Sequence, residues 1–207
     1  MAVAQYFQAM ARGLMFWRTP PKIADMAALA TFCARQSAYM AQTNLYGYLR
    51  TRAGLQHFNL FNDKKFTALL RPARTKLVLI CLEDLTLYAV AALVDGGASE
   101  AQAEEMAAAV FTQAVDEIAD DSLPWDNYQK ACADFAAPLP LMDWPARLSP
   151  HAFQKSTNAL IELAPIVDEL KNYDTEIVSN SMRFKWMGVR AELARRLDAP
   201  RLLASLA

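Results

Sequence analysis

Between Lys76 and Val94 the chain reads KLVLICLEDLTLYAVAALV, its most apolar run, free of proline and glycine and followed by Gly96-Gly97. Its 19 residues just reach the length that spans a bilayer's hydrocarbon core. Glu83 and Asp84 stand at its centre, where each charge costs roughly 2.5–3.5 kcal/mol on an insertion scale. The run is therefore expected to be the central core helix of a water-soluble bundle, sheathed by its neighbours.

Working upstream, Asn62 or Asp63 offers an N-cap for this helical stretch, and Pro72 is expected to break or kink it. From about Pro21 to Ala53 a long second helix runs without internal proline and stops at Gly54. Ala27, Ala30, Ala34, Ser37 and Ala41 form a small-residue side on it that lets another helix approach closely. Residues 3–17 place Val3, Phe7, Met10, Leu14 and Trp17 at alternating steps of four and three, an amphipathic first helix ended by Pro20-Pro21. Its basic residues Arg12, Arg18 and Lys22 follow the apolar positions instead of preceding them, the reverse of a secretion signal.

Downstream, Ser99 and Gln102 make a capping box for a helix to about Ala119, with Ala103, Met106, Ala107, Val110, Ala114 and Ile118 facing inward. A shorter helix carries Trp125, Tyr128, Cys132 and Phe135, and prolines 138, 140 and 145 mark an irregular loop over 138–148. Ser149-Pro150 reads as a helix start, its helix running toward Leu170 with a kink at Pro165. A last helix is expected from Asp174 or Thr175 to about Leu197. No alternating strand pattern and no fixed-period repeat occurs. Residues 1–207 thus read as one all-α domain, a bundle of six or seven helices with a long second helix and an apolar central helix.

Composition agrees: 207 residues, 54% hydrophobic, 21% charged and 6 glycines exclude a disordered or fibrous chain. Three scattered cysteines, Cys33, Cys81 and Cys132, make no disulfide framework and suit a reducing compartment. The net charge of -1 conceals segregation. Residues 1–94 carry eleven Lys/Arg against four Asp/Glu, residues 95–143 one against eleven, and residues 144–207 nine against seven. Basic and acidic segments attracting one another within the fold is the first explanation, and two surfaces for different partners the second. A pI near 6.1 and no nucleic-acid motif leave nucleic acid disfavoured as a partner.

Chemistry is sparse. Two histidines, His57 and His151, without an ExxH or HExxH setting, give too few ligands for a metal centre, and no glycine-rich phosphate loop or nucleophile elbow exists, so neither metal nor cofactor is expected. Ser149 beside His151 reads as a helix cap and not as a nucleophile.

Glu83 and Asp84 are the unusual pair, because both directions that they take from the helix are apolar, and a carboxylate held there must be paired, hydrogen-bonded or neutral. Partners are sought on the second helix, in the stripe Arg35, Tyr39, Gln42, Tyr46 and Arg50. The first reading is a structural ion pair fixing helix register. The second is a pocket lined by Tyr39, Met40, Tyr46 and Leu87 with Glu83 at its base, in which Arg35, Tyr39, Tyr46 and Glu83 bind a ligand and Glu83, Asp84 and Tyr39 supply any catalysis.

The segment EIVSNSMRFKW, 176–186, interleaves Asn180, Arg183 and Lys185 with Phe184 and Trp186, residue types common in interaction hot spots. Its plain reading puts Ile177, Phe184 and Trp186 in the core. In the first helix, Phe16 and Trp17 followed by Arg18 suit packing on the bundle, contact with an anionic membrane surface, or a protein partner.

The leading expectation is a non-enzymatic interaction or adaptor protein of the cytoplasm, with a peripheral seat on the cytoplasmic membrane as an option. It would hold a protein partner, or a second copy of itself, through Phe16, Trp17, Arg18, Asn180, Arg183 and Trp186. The alternative is a small enzyme or hydrophobic-ligand binder centred on Glu83 and Asp84.

Overall fold

The computed structural model of the chain describes residues 20–206; the expected helix over 3–17, with Phe16, Trp17 and Arg18, lies outside the described residues. Within them the fold is all-α. The helices are α1 (Met26–Ala53), α2 (His57–Asn62), α3 (Lys64–Asp95), α4 (Glu100–Ile118), α5 (Trp125–Ala136), α6 (Gln154–Leu163), α7 (Asp168–Arg196) and α8 (Ala199–Ala204).

Helix α3 is the axis. Leu77, Cys81, Leu82, Leu85, Ala89, Val90 and Leu93 are fully enclosed, packed by α1 on one flank, α4 on another and α6 on a third. It is long and apolar enough to cross a membrane by length and composition, and 72% of its most apolar window is covered by the rest of the fold. On α1, Ala30, Ala34, Ser37 and Ala41 are buried as the small-residue side expected, whereas Ala27 is exposed.

Local chemistry sets several boundaries where the sequence put them. The Asp63 side chain accepts from the N–H groups of Lys65 and Phe66, and Ser99 with Gln102 closes both halves of the capping box. Gly54 and Gly97 take φ of +52° and +109°, backbone that a side chain would strain, and so end α1 and the turn after α3. The charge segregation is used internally, since Arg71 and Arg74 of α3 pair with Asp121 and Asp120, and Thr31 of α1 donates to Glu117.

Four expectations fail. Helix α1 starts at Met26 and not at Pro21, because Asp25 caps it through Ala28 N–H and Ile23 is drawn into an isolated bridge with Leu197. Pro72 does not break α3, whose 32 residues continue through it as one helix. Only the bond to the Ala68 carbonyl is forfeited, and buried Leu70 and Thr75 hold the helix on both sides. Ser149-Pro150 opens no helix; Ser149 closes a 3-10 turn over Pro145–Leu148, and α6 begins at Gln154 and ends before Pro165. Finally α7 starts at Asp168, six residues ahead of the expected Asp174. In the Pro-rich segment, Leu139 and Trp144 are buried and anchor it to the bundle.

Candidate functional site

The twin acids have partners, and they come from α6, not α1. Helix α6 begins after Phe153 with no side-chain cap of its own; Gln154 N–H turns back to the His151 carbonyl, and the N–H groups that follow it in the first turn have no partner within the helix. Asp84 lies against that end and its Oδ2 accepts the backbone N–H of Ser156 at 2.8 Å. Glu83, half-buried, pairs with Lys155 on the same turn. Together the two carboxylates clamp the start of α6 onto α3. Burial pushes the Asp84 carboxyl up from its ordinary 3.8 to about 6; the Ser156 bonds oppose the rise, neighbouring Glu83 adds to it and Lys155 subtracts. The thiol of Cys81, enclosed one turn away, is pushed well up by burial and by Asp84.

The expected pocket at Glu83 does not form. Met40 and Leu87 are core, while Tyr39 is 56% exposed and Tyr46 stacks on Phe61 at 5.4 Å between ring centres. Arg35, Gln42 and Arg50 are exposed, and the acids take their hydrogen bonds from α6 instead. Among the described residues, clefts of about 510, 350, 190 and 360 Å³ indent the surface, and Tyr39, Tyr46, Glu83 and Asp84 line none of these four. The 510 Å³ cleft lies between α1, α3 and α4 and is lined by Arg35, Gln42, Arg74, Thr75 and Glu117. Among the described residues no three His, Cys, Asp or Glu side chains gather as a metal would require.

Helix α7 carries the feature that composition hid. It presents two apolar stripes on opposite sides. Ser179, Met182, Trp186, Val189 and Leu193, at steps of three and four, are buried against the bundle. There Trp186 stacks on Phe153 at 4.2 Å and is 1% exposed, so it belongs to the core and offers no surface to a partner. The opposite stripe is Leu170, Tyr173, Ile177, Asn180, Phe184, Met187, Ala191 and Ala194, at alternating steps of three and four, and every one of the eight is exposed. Tyr173, Ile177 and Phe184 expose 80%, 74% and 74% of their surface. Ile177 and Phe184, expected in the core, thus face solvent.

That spacing is the heptad seam of a coiled coil, with Leu170, Ile177, Phe184 and Ala191 at a positions and Tyr173, Asn180, Met187 and Ala194 at d. It is sustained over three and a half heptads, beyond what chance placement of apolar residues along a solvated face gives. Of the residues singled out from sequence, Asn180 sits in the seam and Arg183 flanks it, donating to the Gln154 side chain at 2.9 Å. Arg190 flanks it too, bonded to the Tyr88 hydroxyl and lying over that ring.

The outer half of α7 is also tied down. Arg52 of α1 pairs with Asp174 and donates to the Leu170 carbonyl, and the Tyr48 hydroxyl donates to Asp174 at 2.9 Å. The Arg52 bond holds Asp174 below the usual carboxylate range, and burial with Asp174 beside it pushes Tyr48 up to about 12. The seam is therefore presented on an anchored rod.

No family model, curated protein or solved structure matches the chain.

Proposed function

We propose that the protein is a non-enzymatic helical interaction protein whose binding element is the outer face of α7. One observation carries this reading: eight consecutive seam positions on a helix already packed on its other side are all exposed among the described residues. Exposed apolar side chains in register over that length present a contiguous apolar patch of the kind that marks a protein interface, and a matching helix would cover it by helix-in-groove or coiled-coil packing. The acids at Glu83 and Asp84 support no competing catalytic reading, since each is committed to holding α6.

Placing a photo-reactive phenylalanine analogue at position 184, with the chain in its own cell, tests the reading. A discrete covalent adduct is expected from position 184 and lost when Ile177→Asp is added. No such adduct is expected from position 141, which is more exposed still and stands on the Leu139–Leu141 turn. Absence of an adduct at 184, or an adduct that survives Ile177→Asp, overturns it.

A further inference from the structure

Resting on that reading, we infer that the seam of α7 is covered by the same seam of a second copy of this chain, the two helices running antiparallel. Charge is the first reason. The half of α7 over 168–181 carries Asp168, Glu169, Asp174 and Glu176 against Lys171, whereas the half over 182–196 carries Arg183, Lys185, Arg190, Arg195 and Arg196 against Glu192. A parallel pair would set acid against acid and base against base along its whole length. An antiparallel pair sets each acidic half beside a basic one, which favours that orientation and steers the encounter.

Size is the second reason, and it is independent of charge. In an antiparallel coiled coil each a position faces a d position of the partner, and the register that engages the whole seam sets Leu170 opposite Ala194, Tyr173 opposite Ala191, Ile177 opposite Met187 and Asn180 opposite Phe184. The two bulky residues at one end of the seam then meet the two alanines at the other, and the larger side chains of the middle layers meet one another, so no layer pairs two alanines or two of the end's bulky residues. Run parallel, Leu170 and Tyr173 would crowd their own copies while Ala191 and Ala194 faced a gap. Asn180 adds a polar layer near the centre, a device that costs stability and discriminates among registers. The paired length, 25 residues at 1.5 Å each, is about 37 Å, long enough for an autonomous two-helix contact. Arg52 and Tyr48 support the inference by holding the acidic half of α7 straight, so the seam is formed before the partner arrives.

The full chain tests this by sedimentation velocity between about 1 and 100 µM. A dimer is expected, weakening at least tenfold in Kd between 50 mM and 1 M NaCl as the charged flanks are screened. Phe184→Asp and Ile177→Asp are each expected to give a monomer that still unfolds cooperatively, at the midpoint the parent chain shows when diluted below its dimer Kd. Both residues are exposed, so loss of folding is not the anticipated cost, and the melt separates the two effects. Orientation is read by mixing a Tyr173→Cys chain with an Ala191→Cys chain, both carrying Cys132→Ser because Cys132 is the thiol that is not fully buried. Mild oxidation should link the two different chains and neither chain to itself.

Homodimers linked 173 to 173 or 191 to 191 would show a parallel pair and overturn the inference. A monomer at 100 µM would overturn it as well, including one whose position 184 becomes accessible only when residues 1–19 are removed, which would name that segment as the occupant. A photo-adduct at 184 to a different protein, with the chain monomeric, would leave the interaction reading standing and refute self-association alone.

Discussion

Replacing Asp84 by asparagine isolates the one strongly buried charge among the described residues. The carboxyl is 5% exposed, and burial raises it from 3.8 to about 6 despite the Ser156 N–H that it accepts. Unfolded, it returns to the ordinary value. Between those two pH values the folded chain keeps a proton that the unfolded chain releases, so stability falls as pH rises. The contribution is fully present below about pH 3.8 and is lost as pH climbs through about 6. At 1.36 kcal/mol per unit the loss amounts to about 3 kcal/mol. Asparagine keeps an oxygen that can accept the Ser156 N–H and has no proton to lose.

Urea unfolding of Asp84→Asn beside the parent chain, at intervals from pH 3.5 to 7.5, should therefore show the variant gaining about 3 kcal/mol on the parent across that range, with the steepest gain between pH 4 and 6. Every other titrating group cancels to first order in the difference. A difference flat to within about 0.5 kcal/mol would refute the reasoning. A variant that loses ground as pH rises would mean that the dipole at the start of α6 outweighs burial and that Asp84 is a stabilising cap in its charged form.

Other outcomes follow from the same coordinates. Glu83→Gln should cost under about 1 kcal/mol, since its Lys155 partner is largely exposed, and should move the Asp84 transition to lower pH by removing a neighbouring negative charge; urea unfolding reads both. Gly47→Ala should add about 0.5–1 kcal/mol, because a methyl there meets nothing within 4 Å. Gly96→Ala should instead remove about 1–3 kcal/mol by setting its Cβ 2.9 Å from that of Ala199. Arg52→Ala should speed amide hydrogen exchange over 168–178 while leaving α3 protected as before, because it severs the tie to Asp174 and the Leu170 carbonyl.

What could be read in advance was whatever a few adjacent residues decide among themselves. Asp63, Ser99 with Gln102, Gly54 and Gly96-Gly97 act through hydrogen bonds or dihedral freedom that need no tertiary partner, and each marks its boundary correctly. Pro72 misled because its local cost is outweighed by packing on both sides, and Ser149-Pro150 because they open a single turn, closed by Ala152 N–H on the Ser149 carbonyl, that does not continue as a helix. The partners of Glu83 and Asp84 lie 72 residues away, a distance over which periodicity carries no information, so α1 was searched in place of α6.

The seam on α7 escaped for a different reason. Two apolar stripes on opposite sides of one helix leave no single polar face, so Trp186, which is core, and Phe184, which is surface, look alike in sequence. Placing the start of α7 at Asp174 also cut Leu170 and Tyr173 off the helix to which they belong. A search for spacing of three and four carried back past Asp174 would have found them.

Helix α7 answers to two judges. Its Trp186 side is policed by folding, where a wrong residue is punished whether or not any other molecule is near. Its Phe184 side, a half-turn round the same rod, is policed only by whatever comes to lie against it. If the outer side is the contact proposed, drift there retunes association without touching the body, which gives the chain a route to new attachments on an unchanged frame.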